Sequence, residues 1–245
     1  MMGSVNFNAD LWYWKALEDF IAYKDIHEFV SSKSAMKAHT NSMSYSSLVS
    51  DSHTSETEIK LAEFSEDSLK GSLDHFAALT IVGMCASFEV AAKDFFRNLF
   101  MVHPEYMHEY IGAEKQKGQI PLLDIVNMGD YKKLIEDLSL KSASIASKGK
   151  YGMVLARAHK LCGLEKDEKI VGQINKIQGD RNKIVHEKKV VGRKVSDVAE
   201  VHAVIAECLE ALIKCAIQKK IDGRYTCFTG ENVFVADNLI VASDS

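Results

Sequence analysis

A chain of 245 residues, 47% hydrophobic and 26% charged, has enough apolar content for a sizeable core and an ordinary soluble balance of charge. Its net charge of −4 excludes a global attraction for nucleic acid, so any such binding must use a local patch. Two prolines and fourteen glycines favour helices over a loop-rich β protein, and five scattered cysteines without a CxxC pair point to buried thiols in a reducing compartment.

The opening MMGSVNFNADLWYW lacks both a basic n-region and a long apolar h-region, so no signal peptide is expected. Residues 8–30 read as an amphipathic helix with Leu11, Trp14, Leu17, Ile21 and Phe29 at helical intervals and Asn8 or Asp10 as cap. Residues 1–35 are therefore assigned to an N-terminal helical arm. Residues 36–66 are dominated by serine and threonine and read as a linker or poorly ordered arm, in which Met36, Met43, Tyr45 and Leu48 are candidates to dock on a neighbour.

Apolar density then rises. Residues 68–100 form one long helix candidate, apolar through FAALTIVGMCASF and charged towards its end at Glu89, Lys93, Asp94 and Arg97. The longest uncharged apolar run, near Phe76 to Phe88, is short of a membrane span, and a cytoplasmic protein is expected. Pro104 and Pro121 bracket a short segment with the polar loop GAEKQKGQ. Helices are expected over 121–138, over 149–162 with Gly163 as C-cap, and over 167–188.

The segment VVGRKVSD breaks the pattern, and Asp197 with Glu200 three residues later reads as a capping box for a last helix over 197–219. Its Val198, Val201, Ile205, Cys208, Leu212 and Cys215 recur at spacings of 3 and 4. NVFVADNLIVA reads as a small hairpin turning at Asp237-Asn238, within a tail assigned to 223–245. The fold class expected is all-α: a helical bundle over 67–222 with an N-terminal helical arm and a small C-terminal β-hairpin.

The helix over 167–188 carries an anomaly. Ile170, Ile174, Ile177, Arg181 and Ile184 follow gaps of 4, 3, 4 and 3, the seam of a helix that packs on another, so Arg181 stands where a hydrophobe belongs. A guanidinium there is costly unless it is paired or the seam opens onto an interface or cleft. Gly179 weakens the helix, leaving a restart with Asp180 as N-cap open. Gln178, Asn182 and His186 form a strip beside the seam. At roughly 100° per residue Arg181 and His186 point about 140° apart, so they converge on one atom only at a helix edge or against a second copy of the helix.

Arg181-Asn182-Lys183-Ile184-Val185-His186 resembles the R-x(4–6)-H motif, with a polar residue after the arginine, of the HEPN superfamily of helical ribonucleases and nucleotide-binding proteins. The helix order is also similar: a long apolar helix ending SFEVAAKDFF, intervening helices, the motif, then an amphipathic closing helix. The overall look is closest to the stand-alone RiboL-PSP-type members of bacterial defence and toxin systems.

That resemblance implies a metal-independent endoribonuclease with a composite site at a homodimer interface and no cofactor. The RNA's 2′-hydroxyl would attack the adjacent phosphodiester, leaving a 2′,3′-cyclic phosphate and a 5′-hydroxyl. Arg181, His186 and Asn182 are the catalytic candidates. An imidazole exchanges protons near neutral pH, a guanidinium offers a fixed fork of donors to a phosphate gaining charge, and Asn182 orients either.

The surrounding Lys183, Lys188, Lys189, Arg193 and Lys194 are the RNA-binding candidates, since residues 181–194 hold six basic side chains against Glu187 alone. Glu89 and Arg97 on the long helix are candidate helpers. A toxin or antiviral role implies RNA, a second copy of the chain, and an antitoxin or other regulatory partner. Members controlled by nucleotidyltransferase antitoxins commonly carry a tyrosine two residues after the histidine, where this chain has Lys188. The alternative reading is a non-catalytic module of the same fold that binds a nucleotide or a protein.

Overall fold

A computed structural model of the protein describes residues 6–42, 55–111, 119–120, 125, 130–187, 194–229, 235–236 and 239–240. In chain order these form β1 (Phe7–Asn8), α1 (Ala9–Ser31), α2 (Lys33–Ser42), α3 (Ser55–Val102), a 3-10 turn (Pro104–Glu109), α4 (Tyr131–Ala146), α5 (Tyr151–Cys162) and α6 (Glu168–Glu187). They continue as α7 (Val195–Gln218), β2 (Gly223–Arg224), the short α8 (Thr226–Thr229), and β3 (Val235–Ala236) with β4 (Leu239–Ile240). The protein is all-α, with β3 and β4 as the small antiparallel C-terminal hairpin, Val235 opposite Ile240.

The central element is α3, against which α1, α4, α6 and α7 pack. Its inward face carries Ile81, Met84, Cys85, Phe88, Phe95, Phe96, Leu99 and Phe100, all at most 1% exposed, and α7, which packs against it, buries Val198, Ile205, Cys208, Leu209 and Leu212. Burying such side chains contributes about 1.5–3 kcal/mol each before entropy is counted, so this pair of faces dominates the core. Over Asp67–Val102 α3 is long and apolar enough to cross a bilayer by composition, but the buried core helix of a soluble protein passes the same test.

The N-terminal arm docks on this core by Tyr23 and the partly buried Trp12, Tyr13 and Phe20, not by most of the residues whose spacing marked the expected face. Leu11, Trp14, Ile21 and Phe29 are between 42% and 51% exposed, whereas Ala9, Ala16, Tyr23 and Val30 are buried. The buried residues recur every seven positions, a seam in which the alanines let α1 lie close to its neighbours. Asn8 starts α1 as expected, its side chain accepting from the Leu11 amide at 3.1 Å. β1 and β2 pair in parallel, Phe7 opposite Gly223, and Asp10 accepts from the Thr226 and Cys227 amides at 3.1 and 3.0 Å. The start of α1 is thus tied to the segment that follows α7.

Several expected boundaries shift. The Ser/Thr-rich stretch is helical at both ends, in α2 and in the first turns of α3, and Met36 is buried, while Met43, Tyr45 and Leu48 lie outside the described residues. So does most of the loop GAEKQKGQ. Of the helix expected over 121–138, Ile125 is helical and residues 131–138 open α4 (Tyr131–Ala146), whose start Asp130 caps by accepting from the Lys132 amide at 2.9 Å, while 121–124 and 126–129 lie outside the described residues. Helix α7 starts at Val195, two residues before the expected cap: Asp197 occupies the third helical position and accepts from the Lys194 amide at 3.0 Å. Gly163 closes α5 at φ +72°, the left-handed conformation that glycine adopts without a Cβ penalty.

Candidate functional site

Helix α6 runs unbroken through Gly179, so the seam holds over its whole length. Ile174 and Ile177 are buried, Ile170 and Ile184 are partly buried against the core, and Arg181 lies in line with them, its side chain 25% exposed. The guanidinium's Nη2 is 3.6 Å from Glu89 Oε1 on α3, and Nη1 donates to Asn182 Oδ1 at 3.3 Å. Its Nε is buried with no hydrogen-bond partner among the described residues. The carboxylate that answers the seam arginine is itself 42% exposed, so the pair sits at the mouth of the helix packing and not inside it.

Glu89 Oε1 has a second contact: it accepts a hydrogen bond from the Tyr151 hydroxyl at the start of α5. Tyr151 is 3% exposed, packs edge-on against Phe88 with ring centroids 5.2 Å apart, and stands near the buried Cys85 thiol. Burial first, then the bond to Glu89, pushes the phenol's pKa up, so its proton stays on the oxygen throughout the neutral range. Burial and the Glu89 charge likewise push Cys85 up to about 12, which keeps it a thiol.

The strip beside the seam has a structural task that spacing alone does not disclose. Lys150, the N-cap of α5, makes no side-chain capping bond. Its orphan amides are answered by α6: Tyr151 N donates to Gln178 Oε1 and Gly152 N donates to Asn175 Oδ1, both at 2.9 Å. Gln178 Nε2 also donates to the Gly149 carbonyl at 3.1 Å. Close approach makes this possible, for a Cβ on Gly152 would lie 2.6 Å from Asn175 Nδ2 and 2.7 Å from Val171 Cγ1.

Further along the strip, Asn182 and His186 are exposed on the last turns of α6. Five residues of helix separate Arg181 from His186 by about 7.5 Å along the axis and about 140° around it. One chain therefore brings together Arg181, Asn182, Glu89 and Tyr151, with His186 on another side of the same helix end.

The other predicted residues are placed as follows. Lys183 is exposed and 3.7 Å from Asp180, and Lys194 is exposed at the start of α7. Lys188, Lys189 and Arg193 lie outside the described residues. Arg97 pairs with Glu136 of α4 at 3.0 Å, two helical turns beyond Glu89. His103, near Pro104, has Nδ1 3.1 Å from Glu105 and Nε2 3.0 Å from the Lys219 carbonyl, so its ring ties the 3-10 turn to the end of α7. A cavity of about 760 Å³ between α5, α6 and α7 is lined by His159, Asp167, Glu207 and Lys214 and includes none of the predicted site residues. Sequence reasoning missed Tyr151 altogether, since its partner Glu89 is 62 positions away.

No family model, curated protein or solved structure matches this chain.

Proposed function

We propose that the protein is a metal-independent endoribonuclease of HEPN type, acting as a homodimer, with Arg181 and His186 as its catalytic pair. The observation that carries this reading is the seam arginine. Arg181 interrupts a row of buried isoleucines, is held at the surface end of the packing by a half-exposed carboxylate, and shares its helix end with an exposed histidine. A helix stabilised only by packing gains nothing from that arginine, whereas a phosphate site requires it.

In this reading the 2′-hydroxyl of RNA attacks the neighbouring phosphorus, the 5′-oxygen leaves, and the products are a 2′,3′-cyclic phosphate and a 5′-hydroxyl. His186 moves the proton between these oxygens, and Arg181 stabilises the charge that grows on the phosphoryl oxygens. Asn182, bonded to Arg181, orients the guanidinium or the phosphate. Lys183 and Lys194, with Lys188, Lys189 and Arg193, attract the RNA backbone.

The angle between Arg181 and His186 makes the site incomplete in one chain, so the partner copy completes it. The exposed Phe76, Leu79 and Val90 of α3 and Val185 of α6, each 43–65% exposed, supply apolar surface on the same two helices for that pairing. No cofactor is called for. The setting is cytoplasmic, with no membrane, and the role is that of a toxin or antiviral effector held in check by an antitoxin or another regulatory partner.

The test is direct. Purified protein incubated with RNA in chelator is expected to release fragments with cyclic-phosphate ends, and Arg181→Ala or His186→Ala abolishes them. Cleavage that persists in both variants overturns the assignment. The second reading, a non-catalytic nucleotide- or protein-binding module, draws on the engagement of Arg181 by Glu89 within one chain. It predicts intact RNA with wild type and an undiminished biological effect from the double variant.

A further inference from the structure

We infer that Tyr151 is a positioning residue for Arg181, acting through the Glu89 carboxylate. The proposal rests on the nuclease reading for what Arg181 does to a phosphate, and on geometry alone for how Arg181 is held.

The problem it answers is the looseness of Arg181's own contacts. At 3.6 Å its approach to Glu89 is longer than the 2.7–2.9 Å of a good charge-assisted hydrogen bond, and its Nε has no partner among the described residues. A half-exposed glutamate is also a mobile anchor, because holding a long side chain in one rotamer costs conformational entropy. By themselves these two groups do not define a position.

Tyr151 removes that freedom. Its hydroxyl donates to the same Glu89 oxygen that faces Arg181. Its ring is fixed by burial and by the edge-on contact with Phe88, the residue before Glu89 on α3. Its backbone amide is held at 2.9 Å by Gln178, one turn before Arg181 on α6. The contacts therefore close a ring through three helices: Arg181 to Glu89 on α3, Glu89 to Tyr151 on α5, and Tyr151 back to Gln178 on α6. A closed ring of this kind transmits a fixed spacing between α3 and α6 to the guanidinium.

The buried phenol suits this task because it remains a donor while the carboxylate remains an acceptor. Phenylalanine would keep the ring and its packing and delete only the donated bond. Glu89 is then free to turn to solvent or to close on Arg181, and in either case the guanidinium leaves its set position. Misplacing a group that acts on the transition state lowers kcat more than it raises KM.

The experiment uses the full chain and reads Arg181 itself. The protein has five arginines, so their side-chain Nε–Hε signals are few in an NMR spectrum, and Arg181→Lys identifies the one from Arg181. Tyr151→Phe and Glu89→Gln are both expected to shift that signal and to speed its hydrogen exchange by about tenfold, while the signals of Arg97 and Arg157 stay in place. Phe100→Leu, which loosens the packing against Phe96 and Tyr110 and touches none of these contacts, lowers stability and leaves the Arg181 signal where it was.

In the cleavage assay Tyr151→Phe lowers kcat about tenfold with KM within about twofold, and combining it with Glu89→Gln adds little further loss. An Arg181 signal unmoved in folded Tyr151→Phe and in Glu89→Gln overturns the inference, whatever the activity. If the signal moves in both but wild type leaves RNA intact, the nuclease reading fails and the positioning of Arg181 by Tyr151 stands.

Discussion

Replacing Arg181 by methionine separates a structural arginine from a functional one. The substitution keeps an unbranched stem in the seam between Ile177 and Ile184 and deletes the guanidinium. Two terms decide the result. The ion pair lost is long, at 3.6 Å, and its carboxylate is 42% exposed, so it contributes no more than about 1 kcal/mol. The Nε removed is buried without a partner among the described residues, and an unmade hydrogen bond of that kind costs about 1–3 kcal/mol.

Glu89 retains the hydrogen bond from Tyr151 and its access to water, so no buried charge is left uncompensated. Arg181→Met is therefore expected to be neutral to about 3 kcal/mol more stable than wild type. Arg181→Ala, which also deletes the packed stem, loses about 1–2 kcal/mol relative to the methionine variant. Urea denaturation followed by circular dichroism measures both, with an unchanged m-value as the check on two-state behaviour. A loss of more than about 1.5 kcal/mol in Arg181→Met would refute the reasoning, because the guanidinium would then be part of what holds the bundle together.

Gly152→Ala places a methyl group 2.6 Å from Asn175 Nδ2 and 2.7 Å from Val171 Cγ1, so either these side chains give way, at the cost of the Asn175 cap, or α5 moves off α6. Its urea midpoint is expected to fall by the equivalent of about 1–3 kcal/mol, and a neutral result would mean that the α5–α6 contact is looser than described. For pH, burial holds the His159 and His202 imidazoles below the ordinary histidine value. The unfolded chain then takes up protons first as pH falls, so the stability tied to these neutral rings is fully present above about pH 6.5 and is lost as pH drops through their lower folded values. Urea midpoints are accordingly expected to be lower at pH 5.5 than at pH 7.5, and His202→Phe, which preserves the stack on Phe20, reduces the difference. An undiminished difference in that variant would remove His202 from the explanation.

What could be read from the sequence followed from how local the signal was. The seam of α6 and the closing face of α7 are visible because burial on one helix side repeats within a few residues, and Val198, Val201, Ile205, Cys208, Leu212 and Cys215 all turn inward. The arginine stood out against that repeat for the same reason. On α1 the same logic misleads, because close helix packing selects Ala9 and Ala16 for the buried seam and leaves the large Leu11, Trp14 and Phe29 outside. The pairing of β1 with β2 involves two residues on each side, too short a run to leave a pattern. The capping of α5 by Gln178 and Asn175, and the link from Tyr151 to Glu89, join groups 23 to 62 positions apart. Spacing along one helix says nothing of such partners. Glu89 was legible as a candidate helper, and the residue that anchors it was not.

The claim on which the functional account depends is that one active site draws Arg181 and His186 from two chains. It is tested by unfolding Arg181→Ala and His186→Ala together, refolding them as a mixture, and assaying RNA cleavage in chelator beside wild type and each variant alone. Random pairing makes half of the dimers mixed, and each mixed dimer has one of its two sites intact, so the mixture is expected to recover about a quarter of wild-type activity. A mixture that stays at the background of the single variants, while wild type refolded in the same way cleaves, would contradict a site shared across the dimer.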